Sequence, residues 1–326
     1  MKVIVPLAGS GTRMRPHTWS RPKPLLNVAG KTVLAHVLDP FTSLEIEEMI
    51  FIVGWLGDQI REYVDANYDF STRYVVQEEL KGQAHAIYLA KEYLSGPCII
   101  VFVDTLFEVD LSTLQQETAD GMLFVKEVED PRRFGVAVEA EGRVVRLIEK
   151  PDGFEHRNAV IGVYYIKDSA ALVDAIEYML EHNIQTKGEF YLADAFQVMI
   201  DRGARFITKS VSMWEDCGKP ETFLHTNRYL LEHGHTQEIE TKNSVLIPPV
   251  HIAKSAVIEN AIVGPYVTVC DRVHITGSIV RDAIIDEGSI VENALLEYSM
   301  VGRDTTIRGS FRHLNIGDNS VMDLSQ

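Results

Sequence analysis

Residues 3–24 read VIVPLAGSGTRMRPHTWSRPKP, and this stretch decides the fold of the first part of the chain. It opens with a short apolar run, residues 3–7, which is typical of a buried β-strand. A glycine-bearing turn follows at once, and such a turn at the carboxyl end of a strand brings backbone N–H groups close to an anion. The stretch therefore predicts the first strand and an anion-binding turn of an α/β domain.

The charge of this segment differs from that of the whole chain. The 326 residues contain 47 acidic and 31 basic side chains, a net charge of −16, yet no Asp or Glu occurs before residue 39. Nucleic acids and anionic membranes are bound by broad basic surfaces, so we expect neither as a partner. A local basic segment in an acidic protein suits a small polyanion.

Composition and segment lengths predict a globular protein of the cytoplasm. Apolar residues make up 46% and charged residues 24% of the chain, as in ordinary globular domains. No apolar run reaches the roughly 18 residues of a membrane span, and MKVIVPLAG is more typical of a strand than of a signal peptide. Three scattered cysteines, Cys98, Cys217 and Cys270, favour a reducing compartment over a disulfide framework.

Strand-like runs alternate with amphipathic stretches up to about residue 235, which predicts an α/β domain with a mostly parallel sheet. Strands are expected at 3–7, 49–53, 74–76, 98–103 and 121–125, with an edge hairpin at 134–149. Helices are expected at 31–38, 57–66, 84–94, 170–182, 192–202 and 221–233. A polar linker, residues 235–243, then ends the domain.

Beyond the linker the period changes to five or six residues. The apolar positions are Ile247, Ile252, Ile258, Val263, Val269, Ile275, Val280, Ile285, Val291, Leu296, Val301 and Ile307. Neither a helix nor a simple strand has this period, whereas a coil of short parallel strands does. Residues 244–326 resemble an imperfect hexapeptide-repeat, left-handed parallel β-helix; a β-sandwich is the alternative.

Residues 9–18, GSGTRMRPHT, together with RPKPL at 21–25, resemble the signature of the sugar-1-phosphate nucleotidyltransferases, also called NDP-sugar pyrophosphorylases. Further family landmarks follow in order: QEELKGQAH (77–85), CIIVFVD (98–104), FGV (134–136), EKP (149–151), AVIG (159–162), GE (188–189, opening a helix) and WEDCG (214–218). The resemblance covers residues 1–235 and implies a Rossmann-like nucleotidyltransferase domain.

The resemblance also implies roles for individual residues. The nucleotide-binding set is Leu7, Gly9, Gly11, Thr12, Gln77 and Gly82, with the last two at the base. The sugar-phosphate-binding set is Gly135, Glu149, Lys150 and Gly162. Arg13 and Lys23 are the catalytic pair, because their charge opposes the negative charge that grows during phosphoryl transfer.

Two aspartates are the expected metal ligands. Asp104 and Asp216 each lie near a predicted strand end, and Mg²⁺ prefers oxygen ligands and tolerates few from the protein. One departure from the family stands beside Asp104. The family usually has Gly-Asp-Asn or Gly-Asp-Val, whereas this chain has Val103-Asp104-Thr105.

The expected reaction is Mg²⁺-dependent transfer of a nucleotidyl group from an NTP to a sugar 1-phosphate, with glucose 1-phosphate and dTTP as the first choice. UTP with glucose 1-phosphate and GTP with mannose 1-phosphate stay open. Two hypotheses of another class are a non-catalytic regulatory subunit and acyl transfer by the coil, with His251, His274 or His313 as the base. The flat sides of the coil predict a homo-oligomer.

Overall fold

The computed structural model describes residues 1–111, 114 and 117–310. The chain divides into two compact units, Met1–Thr226 and a second that begins at Asn227. The last helix of the first unit crosses this boundary and ends at Glu232, close to the boundary at 235 expected from the sequence. None of the helices in the described part of the chain is long and apolar enough to cross a membrane.

The first unit contains thirteen strands and six helices among its described residues. The strands are β1 (Lys2–Pro6), β2 (Asn27–Val28), β3 (Lys31–Thr32), β4 (Glu48–Val53), β5 (Thr72–Val76), β6 (Cys98–Val101), β7 (Thr105–Phe107), β8 (Gly121–Glu127), β9 (Gly135–Ala140), β10 (Arg143–Glu149), β11 (Asn158–Ile166), β12 (Phe206–Ser210) and β13 (Trp214–Asp216). The helices are α1 (Val33–Leu38), α2 (Gly57–Asn67), α3 (Gln83–Tyr88), α4 (Ser169–Glu181), α5 (Leu192–Asp201) and α6 (Pro220–Glu232).

The main sheet has nine strands, and its parallel part confirms the predicted α/β class. Its order is β10-β9-β11-β6-β1-β4-β5, with β8 on β11 and β12 on β8. Strand β1 pairs in parallel with both β4 and β6, whereas β11 runs antiparallel to β6, β8 and β9. The chain adds β4 and β5 on one side of β1 and β6 on the other, so the order of strand addition reverses at β1, and a crevice is expected there outside the carboxyl ends of the strands.

Several elements differ from the sequence-based expectation. Helix α3 is shorter than predicted and ends at Tyr88, with only a short 3₁₀ turn at Lys91–Tyr93. The expectation that Gly188 and Glu189 open a helix is wrong. Lys187 and Gly188 both have positive φ, 52° and 85°, which a right-handed helix does not allow, so α5 begins at Leu192.

The second unit is built from short strands, all paired in parallel. They are β14 (Val245–Leu246), β15 (Val250–Ile252), β16 (Val257–Glu259), β17 (Ile262–Val263), β18 (Val267–Val269), β19 (His274–Thr276), β20 (Ile279–Ile285), β21 (Ile290–Glu292), β22 (Leu295–Val301) and β23 (Thr306–Arg308). Partners lie 17 residues apart at Val245 and Ile262, and 16 apart at Ile279 and Leu295. Three steps of five or six residues give this coil length, so the predicted period is confirmed; the left-handed sense stays a prediction.

The coil also corrects one of the positions predicted to point inward. Ile247 is 41% exposed, and the register places Leu246 opposite the buried Val263 instead. Val263 in turn pairs with the buried Val280. Residues 235–243 are not a bare linker, because Gln237 and Lys242 already pair with His251 and Glu259 of the coil.

One face of the coil carries an exposed apolar ladder. Val245, Ile262, Ile279 and Leu295 are register partners on neighbouring strands, and their exposed fractions are 56%, 37%, 43% and 80%. Neighbouring strands lie about 4.8 Å apart, so these side chains form a continuous strip. We call it the apolar ladder below.

Candidate active site

A cavity of about 430 Å³ occupies the crevice at the carboxyl ends of β1 and β6. Its walls come from the turn after β1, the segment between β5 and α3, and residues 102–104 after β6. Nine of the fourteen predicted site residues line it: Leu7, Gly9, Gly11, Thr12, Arg13, Lys23, Gln77, Gly82 and Asp104. The sequence motifs therefore converge on one cavity, although their roles stay predictions.

The glycine turn is held in a conformation that requires glycine. Gly11 has a φ of +60°, and a Cβ there would lie 3.1 Å from Cβ of Lys23 and 3.2 Å from Cγ2 of Thr18. The Thr18 hydroxyl donates a hydrogen bond of 2.8 Å to the Gly11 carbonyl. Met14 is fully buried, whereas Arg13 is exposed. Burial of Met14 thus fixes the turn while Arg13 extends into the cavity wall.

Lys23 and the two aspartates surround a common buried thiol. Burial raises the pKa of Cys217 to about 12; the positive charge of Lys23 acts in the opposite direction, and the charges of Asp216 and Asp104 add to the rise. All three charged groups therefore lie within electrostatic reach of Cys217. Lys23 and Asp104 line the cavity, whereas Asp216 lies behind the lining residue Gly218, to which it is hydrogen-bonded.

Backbone pairing brings the aspartates together. Asp216 lies opposite Thr105 where β13 runs antiparallel to β7, and the Cys217 N–H donates to the Asp104 carbonyl at 2.9 Å. Asp216 Oδ1 accepts a 2.7 Å hydrogen bond from the Gly218 N–H. A Cβ on Gly218 would lie 3.1 Å from Nη2 of Arg13, so Arg13 reaches the same point.

The few metal ligands that these residues offer suit magnesium better than a cation that takes all its ligands from the protein. No group of three or more His, Cys, Asp or Glu side chains suited to a metal occurs among the residues that the structure describes. Two carboxylates at a cavity with room for a triphosphate would suit Mg²⁺, which keeps several waters and takes its other ligands from substrate phosphates. Asp104 and Asp216 are the residues that would hold it.

Gln77 and Gly82 also line the cavity. Gln77 is 5% exposed, and its backbone N–H donates to the Val53 carbonyl at 2.8 Å. Gly82 has a φ of +113°, and a Cβ there would lie 2.5 Å from O and 2.7 Å from N of Phe190. Close packing against the Phe190 backbone therefore makes glycine necessary at position 82.

Glu149, Lys150 and Gly135 form a second group outside the cavity lining. The Lys150 ammonium donates to the Tyr191 hydroxyl at 3.1 Å and lies 3.7 Å from Oε1 of Glu149. Burial raises the pKa of Glu149, and the neighbouring Lys150 opposes that rise. A Cβ on Gly135 would lie 2.9 Å from Oε2 of Glu149, so glycine leaves room for this carboxylate.

Gly162, the remaining residue of the predicted sugar-phosphate-binding set, is hydrogen-bonded to the cavity lining. The Phe102 N–H donates to the Gly162 carbonyl at 2.9 Å, and Phe102 lines the cavity. Burial raises the pKa of Tyr164, and the charges of Glu149 and Asp104 add to that rise. Glu149 of the second group and Asp104 of the cavity lining therefore both act electrostatically on one buried phenol.

Sequence reasoning missed three residues here. Glu189 and Gly218 line the cavity and stand in quoted motifs, but no role was assigned to them. Asp194 is half-buried, its Oδ2 atom has no hydrogen-bond partner within the described chain, and burial raises its pKa. Nothing in the local sequence distinguishes Asp194 from an ordinary residue in the first turn of a helix.

Comparison with protein families agrees with this geometry. Residues 2–233 match the family model described as nucleotidyl transferase. The chain belongs to the nucleotidyl transferase family. This confirms the resemblance stated from the motifs, and the matched range contains both the cavity and the second group.

Individual relatives of this nucleotidyltransferase cover different shares of it. A glucose-1-phosphate thymidylyltransferase of Streptomyces antibioticus is 29% identical over an alignment of 359 positions, gaps included, that covers 99% of this chain and 99% of the relative. The bifunctional protein GlmU of Methanococcus vannielii is 30% identical over 244 residues, 72% of this chain but 56% of GlmU. This nucleotidyltransferase thus matches little more than half of the bifunctional relative's length.

A solved structure supports the fold. The crystal structure of a UDP-glucose pyrophosphorylase with UDP-glucose superposes with a TM-score of 0.62 at 23% identity, covering 71% of this chain and 98% of that one. The similarity confirms the architecture of the first unit.

Replacing Gly82 by Ala should disrupt the cavity. The backbone conformation costs a non-glycine residue about 1–3 kcal/mol, and the contact with Phe190 adds an overpacking cost of about 1–3 kcal/mol. We expect a lower melting temperature and a higher KM for the NTP. Gly96→Ala is the control, because Gly96 also has positive φ, +69°, but a Cβ there would meet no heavy atom within 4 Å. Equal effects of both substitutions on KM would contradict this account.

Proposed function

We propose that the protein transfers a nucleotidyl group from a nucleoside triphosphate to a sugar 1-phosphate and releases pyrophosphate. The observation that carries the proposal is the meeting of the glycine turn, Arg13, Lys23 and Asp104 in one cavity. The family match supports nucleotidyl transfer. The second group, Glu149 with Lys150, supports a sugar phosphate as acceptor, because it offers a cation and a buried carboxylate beside that cavity.

In this reaction an oxygen of the sugar phosphate forms a bond to the α-phosphorus. The bond from that phosphorus to the oxygen bridging to the β-phosphate breaks, and its electron pair leaves with pyrophosphate. Two polyanions must approach each other, so positioning and charge neutralisation supply most of the rate. Arg13 and Lys23 provide positive charge at the triphosphate, and Lys150 holds the phosphate of the sugar.

Magnesium is the proposed cofactor. When bound by Asp104 and Asp216, it would supply charge neutralisation between the two substrates. The buried Thr105 hydroxyl has a partner within the chain, because it donates to the Ile161 carbonyl at 3.2 Å. Val103 lines the cavity. The departure from the usual Gly-Asp-Asn sequence thus leaves the carboxylate in place and changes only its neighbours.

Glucose 1-phosphate with dTTP is the proposed substrate pair. The end-to-end match with a relative named glucose-1-phosphate thymidylyltransferase supports this choice, and the buried Gln77 offers an amide to a pyrimidine edge. UTP with glucose 1-phosphate and GTP with mannose 1-phosphate are the alternatives.

The nucleotide preference is tested by measuring pyrophosphate release with dTTP, UTP, GTP and ATP in turn, each with glucose 1-phosphate and with mannose 1-phosphate. We expect the highest kcat/KM with dTTP and glucose 1-phosphate, because Gln77 would pair with the thymine edge. Comparable values for all four nucleotides would contradict a base-reading role for Gln77. Faster turnover with GTP would favour the guanylyl alternative.

Replacing Asp104 or Asp216 by Asn should lower magnesium-dependent turnover by about two orders of magnitude or more, because an amide binds the ion far less well than a carboxylate. Thermal unfolding should change little, since Asn keeps the size of the side chain. Asp69→Asn, at an exposed position, is the matched control. Full turnover in either site variant would show that the metal assignment is wrong.

Two other hypotheses, a non-catalytic regulatory subunit and acyl transfer by the coil, have less support. A non-catalytic sensor would be expected to have lost some of the charged groups, whereas Arg13, Lys23 and both aspartates are present. For acyl transfer by the coil, Nδ1 of the half-buried His251 already lies 3.3 Å from the His235 carbonyl, and His274 is exposed. His313 lies outside the described residues. We therefore do not propose acyl transfer.

The cytoplasm is the proposed location, since Cys98 and Cys217 are buried free thiols, as expected in a reducing compartment. We further propose that the protein is a homo-oligomer with the apolar ladder in its interface. Exposed apolar strips of this kind mark contact surfaces, and every copy carries the same strip, which suits a symmetric contact.

Light scattering tests the oligomer. The wild-type mass should be a multiple of 36.7 kDa, and the double substitution Ile279→Lys with Leu295→Lys should lower it, because two charges would have to be desolvated in the interface. Thr306→Lys, an exposed position on another face of the coil, should keep the wild-type mass. A monomeric wild type, or an unchanged mass in the double variant, would contradict the proposal.

A further inference from the structure

A second pocket of about 620 Å³ lies in the first unit, next to the segment between β5 and α3 that also lines the active-site cavity. Helix α3, the end of α4 and the residues after α4 surround it. Its apolar wall includes Leu89, Leu180 and Phe190, and its polar groups include His85, Asn183 and Gln185. None of the predicted site residues lines this pocket.

Asn183 and Gln185 form a hydrogen-bonded amide pair at the exposed edge of the pocket. The Gln185 Nε2 group donates a 2.8 Å hydrogen bond to Oδ1 of Asn183. This bond leaves the Nδ2 group of Asn183 as a donor and Oε1 of Gln185 as an acceptor for other partners. A donor and an acceptor side by side match a ligand in which an N–H stands next to a C=O.

The remaining polar groups favour an uncharged ligand. The Nδ1 atom of His85 is buried and has no hydrogen-bond partner within the described chain, and burial lowers the pKa of this imidazole. Lys81, at the rim, is paired with Glu79. The positive charge near the pocket is therefore already balanced, and a phosphate or carboxylate would gain little there.

We propose that the second pocket binds a small, uncharged, cyclic molecule with an amide or imide edge. The ring faces would pack against Phe190 and the leucines, and the edge would meet the amide pair. The orphaned His85 Nδ1 supplies one further hydrogen-bonding position, because a buried polar atom without a partner costs free energy that a ligand recovers.

The two cavities share a wall, which couples them. The Ala84 N–H donates to the Phe190 carbonyl at 2.9 Å, and the Phe190 N–H donates to the Lys81 carbonyl at 3.0 Å. Leu80 lines both cavities. On one side of the wall Gly82 and Glu189 face the active site, while Phe190 faces the second pocket.

A tight turn continues this wall. Thr186 and Glu189 exchange two backbone hydrogen bonds of 3.1 Å, and the Thr186 hydroxyl donates to Oδ1 of Asp194 at 3.2 Å. A ligand that packs on Phe190 holds the wall in this arrangement. We therefore expect occupancy of the second pocket to strengthen NTP binding, since less ordering remains to be done when the NTP binds.

Binding is tested with glutarimide as the probe and N-methylglutarimide as its matched control, by NMR titration of the full-length protein. Methylation removes the N–H donor, so we expect glutarimide to bind about tenfold more tightly. The histidine ring resonances of His85 should shift on saturation. Absence of saturable binding, or equal affinity for both probes, would overturn the proposal.

Two substitutions of Asn183 test whether the probe binds in the second pocket. Asn183→Asp keeps the acceptor for Gln185 and removes the donor, and Asn183→Gly removes the side chain at a position with a φ of +50° that suits glycine. Each should weaken glutarimide binding about tenfold without loss of fold. Asn67→Asp, on α2, is the control and should bind as the wild type does. Unchanged affinity in both Asn183 variants would overturn the assignment.

The coupling rests on the proposed function, whereas the binding does not. At saturating glutarimide, the KM for the NTP should fall about twofold or more, and N-methylglutarimide at the same concentration should lower it less, in proportion to its weaker occupancy. An unaltered KM with the pocket occupied would overturn the coupling. Absence of any turnover with or without the probe would count against the proposed function, and the titration would still decide the binding site.

Discussion

The parallel pairing of β1 with both β4 and β6 is the constraint on which the first unit depends. It places the end of β1 beside the end of β6, with Ile4 opposite Ile100. Because parallel strands end at one edge of a sheet, the turn that carries Arg13 and the residues that lead to Asp104 meet there without further arrangement. The antiparallel pair β7–β13 then returns Asp216 to the same point. The charges of the cavity are therefore gathered by backbone hydrogen bonds.

Much of this site could be predicted from the sequence, because its parts follow recognisable strands and turns. The acid-free start of the chain, the glycine turn and the run ending at Asp104 all carry local signals. Asp194 and Tyr191 do not, since their importance comes from burial beside Glu149 and Lys150. Such contacts join residues more than 40 positions apart, and no local pattern indicates them.

The fold, like the site, was predicted from the sequence only where the local pattern allows a single structure. The period of five to six residues predicted the coil. It also predicted that Ile247 points inward, whereas in the observed register Leu246 takes that position. A one-residue shift reverses which face a side chain occupies in a strand, and the sequence offers two adjacent apolar residues there. At Gly188 the expected helix start failed because two consecutive positive φ values form a turn. That turn also separates the active-site cavity from the second pocket.

The central claim is that this cavity joins a nucleotidyl group to a sugar phosphate. Incubation with dTTP labelled with ³²P at the α-phosphate, glucose 1-phosphate and Mg²⁺, followed by chromatography of the products, tests it most directly. The account predicts that the label appears in the nucleotide sugar, with an equal amount of unlabelled pyrophosphate. Label in free nucleoside monophosphate would contradict it. The same experiment is repeated with labelled UTP, GTP and ATP, and with mannose 1-phosphate in place of glucose 1-phosphate. Label that remains in the triphosphate in every one of these combinations would also contradict it.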